Sequence, residues 1–395
     1  MHLELTRKAS FLYTYTLVGM LLFFLSGTFP LDRISPDFPG IEARFLIFFG
    51  SFVIFIFIIM KNPRIPRRPR TPVVLAFLWF FLSYLTVFYS PDALAAAEKL
   101  ADLALILFAV FIFSFLIYHH REPARVIGIF FVVVGTIYAL ATISTYVLSD
   151  GRRGTILLGG PNVATRVMFF SATFCMFFYV STGLARYLLL FFITFVGVLL
   201  VGSRAGIGAA LLCLAVALLY YQVQRKAQMP SSQSISLASP RNIFFLGSGL
   251  IASFWYGWDF FQRRFVRLVF ERFHWAGRDS LYEVSVERSL EALPLGEGLA
   301  SYKQYMNYPH NLLLELALDG GFMLAWLWAL FLILSLYIFL KAKGPVIFIS
   351  IIPFYMFFVQ QFSGEAYDFR YFFLFSALSL LLLRRNSIFE KQALY

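Results

Sequence analysis

The sequence predicts an all-α polytopic membrane protein with about twelve transmembrane helices. Composition is the first reason: 60% of the residues are hydrophobic and only 14% are charged, against roughly a quarter charged in soluble domains. With 50 Phe among 395 residues, one soluble core cannot enclose the apolar mass. The second reason is that apolar runs near the ~20 residues needed to cross a bilayer recur from end to end. The third is the way basic residues sort between alternate connections.

Twelve spans are expected, at 11–29, 45–60, 72–90, 103–118, 126–148, 167–182, 187–202, 207–222, 243–258, 321–340, 345–362 and 371–383. The first is too long for a signal-peptide core and lacks a clear small-residue cleavage site, so it is expected to be retained. No repeat suggests a two-fold transporter design. The chain therefore reads as a single integral membrane domain, 1–395.

With both termini on one side, that side carries 18 of the 33 Lys and Arg and only Glu4, Glu122 and Glu390. "KNPRIPRRPR" alone contributes five positive charges. The positive-inside rule then places both termini in the cytoplasm. The net charge of +12 is mostly this topological bias. A nucleic-acid partner would need a basic soluble domain, and no such domain is visible. Cys175 and Cys213 fall inside expected spans and imply no disulfide.

Two connections stand out by length. The cytoplasmic one, 223–242, holds the Ser-rich "MPSSQSISLASP" and reads as a flexible loop. The external one, 259–310, opens with "DFFQRRFVRLVFERFHWAGRD". There Phe261, Phe265, Leu268, Val269 and Phe273 make one stripe, with Arg264, Arg267, Glu271, His274 and Arg278 at spacings of three and four. That is the pattern of an interfacial amphipathic helix, which can be a simple surface anchor on membrane lipids. A second external segment, "SDGRRGTILLGGPNVATR", is too polar for lipid.

External arginines run against the topological bias, so each calls for an anionic or a structural partner. Arg204, in "VGSRAGIG", sits at the outer boundary between two apolar runs. It is either a functional cation or an arginine snorkelling from a helix end. Arg278, in "GRDSLYE", either serves a ligand or pairs with Asp279 or Glu283. Arg166, closing "GGPNVATR", most simply marks the interface at the start of a span. A pair of guanidinium forks converging on one site would suit a diphosphate and would stabilise charge on a leaving group.

His310 opens the question of a base. Of five histidines, only His274 and His310 face outward on this topology, and imidazole can accept a proton from an attacking hydroxyl near neutral pH. In "YPHNLLLELALDGG", a helix beginning near Asn311 carries Asn311, Glu315 and Asp319 as one polar stripe. The alternative is a helix cap beside a surface histidine. No CxxC, HExxH, P-loop, G-x-S-x-G or dinucleotide fingerprint occurs. The first external loop, "LDRISPDFPGIEAR", lacks a D-x-D pair that could hold a divalent metal beside a diphosphate. Metal-independent chemistry without a cofactor is expected.

The ordered set "GGPNVATR", "GSRAG", "GRDSLYE", "LPLGEGLASY" and "YPHNLLLELALDGG", covering roughly 150–340, resembles the O-antigen ligase and polymerase family of bacterial inner membranes. The resemblance implies a GT-C-like helical fold and an inverting glycosyltransferase. Such an enzyme moves a glycan from undecaprenyl diphosphate to an acceptor hydroxyl on the periplasmic face, either lipid A–core (ligase) or another lipid-linked repeat unit (polymerase). It further implies that Arg204 and Arg278 hold the diphosphate and that His310 is the base or orients the acceptor. Asn162, Arg166, Tyr308 and Asn311, from the same motifs, are the candidate substrate-binding residues. Against the longer ligase pattern His310, Asn311 and Gly321 fall in place and Leu324 does not. Ligase is the expected function, with polymerase as the alternative. A rival from another class is a transporter or flippase for a lipid-linked sugar, which would place its arginines along a path through the membrane.

Overall fold

A computed structural model describes residues 2–26, 43–61, 71–148, 160–201, 203–228, 279–362 and 366–392. Among these residues the regular structure is helical, with no strand. The helices are α1 (His2–Ser26), α2 (Ala43–Lys61), α3 (Thr71–Val87), α4 (Ala93–His119), α5 (Pro123–Leu148), α6 (Gly160–Thr182), α7 (Ala185–Leu200) and α8 (Arg204–Gln228). They continue with α9 (Asp279–Glu291), α10 (Leu312–Lys341), α11 (Ile347–Val359) and α12 (Arg370–Gln392).

Among the described residues, five stretches are long and apolar enough to cross a membrane: Ala93–His119, Pro123–Leu148, Gly160–Thr182, Ala205–Arg225 and Leu312–Lys341. Shorter apolar helices include Phe11–Leu25, Leu46–Met60, Thr71–Val87, Ala185–Leu200 and Gly344–Val359. This is a helical membrane protein. Eleven of the twelve expected spans coincide with helices; 243–258 lies outside the described residues, as do 229–242 and the amphipathic stretch 259–278. Several threonine hydroxyls inside the apolar helices are satisfied locally. Thr136, Thr142 and Thr194 donate to carbonyls four residues back, the usual way of hiding a hydroxyl where no water is available.

Two boundaries differ from the sequence expectation in ways that matter. Helix α4 begins ten residues before the expected span at 103, because Asp92 caps it, accepting from Ala95 N at 2.9 Å, and the Ala-rich first turns favour helix. Helix α10 begins at Leu312, and the expected start at 321 is instead a kink inside it, with Gly320 at φ −155° and Gly321 at φ 55°, ψ −140°.

The chain divides into two compact units. The first comprises 1–126, 276–341 and 353–395. Here α1 packs on α2, and α4 lies against α1, α3 and α12. Trp79, Phe331, Phe369 and Phe373 form an aromatic core with ring centroids 4.8–6.0 Å apart. Arg370 is fully buried and, with the Tyr371 hydroxyl, donates to the Phe24 carbonyl at the end of α1.

The second unit comprises 127–275 and 342–352. Its core is the buried face of α6, where Phe170 and Phe174 meet Phe131 of α5. Small residues allow the close approach typical of membrane helices: a Cβ on Gly197 would fall 2.5 Å from Met168 Sδ and 2.8 Å from Ala139 Cβ.

The α4–α5 turn holds a buried histidine with a testable signature. His120 Nδ1 accepts from the Glu122 amide at 3.0 Å, and Nε2 lies 2.9 Å from Thr14 Oγ1. Arg385 closes the turn by donating to the His120 and Arg121 carbonyls, each at 2.9 Å. Burial holds the His120 pKa below its ordinary value; Glu122 opposes this and Arg385 reinforces it. A pKa lowered by folding contributes stability that is present above the unfolded value, ~6.5, and is lost as pH falls through the folded one. Thermal stability in detergent should therefore fall on acidification below about pH 6.5. In His120→Gln that acid-side fall should be shallower; an unchanged slope would dismiss the assignment.

Candidate functional site

The residues between α9 and α10 form a strap whose end is His310. Its path is set by backbone hydrogen bonds that the motif "LPLGEGLASY" makes to neighbouring helices. The Phe322 amide donates to the Pro294 carbonyl at 3.0 Å, and the Glu297 amide to the Leu318 carbonyl at 2.7 Å. Gly296 lies so close that a Cβ there would sit 2.5 Å from the Gly321 nitrogen. From the α3–α4 turn, Tyr89 Oη donates to the Leu295 carbonyl and Ser90 Oγ to the Leu299 carbonyl, both at 2.7 Å. Two glycine-containing motifs thus fit together at the kink of α10.

Beneath the strap lies a buried ionic cluster. Lys99 Nζ donates to Glu315 Oε1 at 2.7 Å, Asp319 Oδ2 at 2.5 Å and Tyr302 Oη at 3.1 Å. Tyr302 Oη in turn donates to Glu315 Oε1 at 3.1 Å. Asp319 Oδ1 accepts from the Ala300 amide at 2.8 Å. Lys99, Glu315 and Asp319 are 8%, 2% and 1% exposed, so water hardly screens these bonds. Burial, with Glu315 adding, pushes the Tyr302 phenol well above its ordinary range, which keeps it a hydrogen-bond donor at working pH. Removing one partner of a buried pair strands the other charge, at a cost of about 3–5 kcal/mol.

Asn311 caps α10, its Oδ1 accepting from Leu314 N at 3.1 Å and its Nδ2 donating to the Gln361 carbonyl at 3.0 Å. The cap reading of "YPHN" accounts for Asn311 in full. It does not account for His310, which is half-buried rather than a surface histidine and has φ 58°. A non-glycine residue in left-handed backbone is strained, and such strain gathers at functional positions. Tyr308 packs against the cluster of Tyr302, Met306 and Leu318. Its ring centroid is 4.1 Å from that of His310, so it braces the imidazole.

In the second unit, "GGPNVATR" and "GSRAG" meet. Ser203 Oγ donates to Asn162 Oδ1 at 2.7 Å and accepts from Gly206 N at 3.2 Å, capping α8. Gly206 lies against Thr165. Arg204 is the first residue of α8, and its side chain, like the whole of Arg278, lies outside the described residues. Arg166 is 1% exposed and among the largest fully buried side chains, in a stretch of α6, Ala164 to Met176, that is buried on every side.

The structure therefore brings Tyr308, His310 and Asn311 together in one unit, and Asn162 and Arg166 onto one face of α6 in the other. Sequence reasoning missed Lys99. The Asp92 cap and Ala-rich turns ahead of it were the available signal that this lysine lies within a helix. Among the described residues no group of three or more His, Cys, Asp or Glu is placed to hold a metal ion. No family model, curated protein or solved structure matches the chain.

Proposed function

We propose that this chain is an O-antigen ligase-type glycosyltransferase of the bacterial inner membrane, GT-C-like in fold. It would have about twelve crossings, both termini in the cytoplasm and its site facing the periplasm. The donor is a glycan on undecaprenyl diphosphate and the acceptor a hydroxyl of lipid A–core. The observation that best supports the reading is His310: the one imidazole of the motif set stands half-buried in strained backbone, anchored over a buried ionic cluster.

In this reaction His310 takes the proton of the acceptor hydroxyl. The oxygen attacks the anomeric carbon, inverting it, and the bond from that carbon to the diphosphate oxygen breaks. Arg204 and Arg278 stabilise the charge gathering on the departing undecaprenyl diphosphate. Tyr308 orients the imidazole, while Asn311 fixes the start of α10. Arg166 and Asn162 remain candidate substrate-binding residues on the strength of the resemblance.

Leu324, off the ligase pattern, keeps polymerase open as a second reading; it is fully buried and packs against the kink at Gly320. Product analysis in a strain lacking the chain separates the two. Bare lipid A–core with lipid-linked polymer accumulating supports the ligase, and lipid A–core bearing one repeat supports the polymerase. A normal glycan profile would dismiss both. Within either reading, Arg204→Lys should lose most transfer, because an ammonium cannot reproduce a bidentate fork. Full transfer by that variant would reduce Arg204 to a membrane anchor.

A further inference from the structure

We infer that Lys99 is a positioning residue: by gripping Glu315 and Asp319 it locks the strap that presents His310. The inference rests on the proposed transferase reading for its kinetic consequence, but not for its structural one.

Four observations carry it. Lys99 joins α4 to carboxylates that come 216 and 220 residues later, both on the first segment of α10. Asp319 spends its second oxygen on the strap itself, through the Ala300 amide. Ala300 and His310 are the non-glycine residues with positive φ among those described, at 59° and 58°, and they bracket the last part of the strap. Strained backbone persists only where its surroundings over-determine it, and at Ala300 the surroundings include the Asp319 carboxylate. Tyr302, the next strap side chain inward, bonds both Lys99 and Glu315. One ammonium thus fixes the strap from its backbone and from its side chain.

Lys99 is committed to two buried carboxylates and a phenol, so in this proposal its effect on catalysis passes through His310. A displacement of about 1 Å at a reacting group can cost ~100-fold in rate. The expected kinetic signature of Lys99→Met is a fall in kcat of that order with KM for the acceptor little changed.

The test compares Lys99→Met with Arg370→Met, which breaks a different buried tie in the same unit. Hydrogen exchange of the 292–311 amides is read in detergent without any glycan, and transfer is read with lipid-linked glycan and lipid A–core. Lys99→Met should speed exchange across the strap and lower kcat, whereas Arg370→Met, at comparable thermal stability, should leave strap exchange at the wild-type rate. If Lys99→Met does not accumulate as folded protein, Tyr302→Phe removes only the hydroxyl bridge and should move both readouts the same way, less far. Wild-type exchange across the strap in a folded Lys99→Met or Tyr302→Phe protein would overturn the inference. Absence of transfer by the wild-type chain itself, with the strap loosened in Lys99→Met, would dismiss the transferase and leave the lock standing.

Discussion

Replacing His310 by alanine is expected to lower transfer from undecaprenyl-diphosphate glycan to lipid A–core by about 100-fold or more, the usual loss when a general base is removed. Protein level and melting temperature should stay near wild type, because the half-buried ring stands at the end of the strap and the cap of α10 belongs to Asn311. His310→Asn separates chemistry from backbone. Asparagine tolerates left-handed φ better than most residues, so it should preserve the local fold at φ 58° while offering no base. Both variants should fail alike in a reconstituted transfer assay. Wild-type turnover by either one would remove His310 from the chemistry.

The largest effect on folding is expected at Gly321. Its φ of 55° with ψ −140° belongs to backbone that side chains avoid, and a Cβ there would overlap the Pro294 carbonyl oxygen. That carbonyl accepts from the Phe322 amide, so it cannot retreat without giving up that hydrogen bond. Strain and overpacking together put the cost of Gly321→Ala at about 2–5 kcal/mol, read as a lower melting temperature or a loss of folded protein. Gly50→Ala is the matched control, since nothing lies within 4 Å of its would-be Cβ. It should be neutral or slightly stabilising. Equal stability of the two variants would mean that the strap does not seat on the kink of α10.

Local chemistry was legible in the sequence, and long-range pairing was not. Hydropathy locates helices because each must hold its apolar run away from water within a single stretch of chain. Asn311 could be read as a cap from its place before "LLLEL", and it is one. Lys99 was hidden for the opposite reason. A lysine marks the edge of an apolar run, so the expected span started at 103, and its carboxylate partners lie far away in sequence. The stripe Asn311, Glu315 and Asp319 was visible as a stripe, but its destination was not: Glu315 and Asp319 turn inward to Lys99, while Asn311 turns to the Gln361 carbonyl. The burial of Arg166 was illegible for the same reason, since neighbours in space rather than in sequence enclose it.

The helical scaffold and the strap describe how a histidine is held; the covalent step is the proposal that most needs a direct measurement. Purified wild-type protein in liposomes, supplied with labelled glycan on undecaprenyl diphosphate and with lipid A–core, provides it. A transferase yields label covalently joined to lipid A–core, one undecaprenyl diphosphate released per transfer, and the same yield after chelation of divalent metals. Label that changes leaflet while staying on undecaprenyl diphosphate, with no new glycosidic bond, would contradict the transferase and point to a transporter.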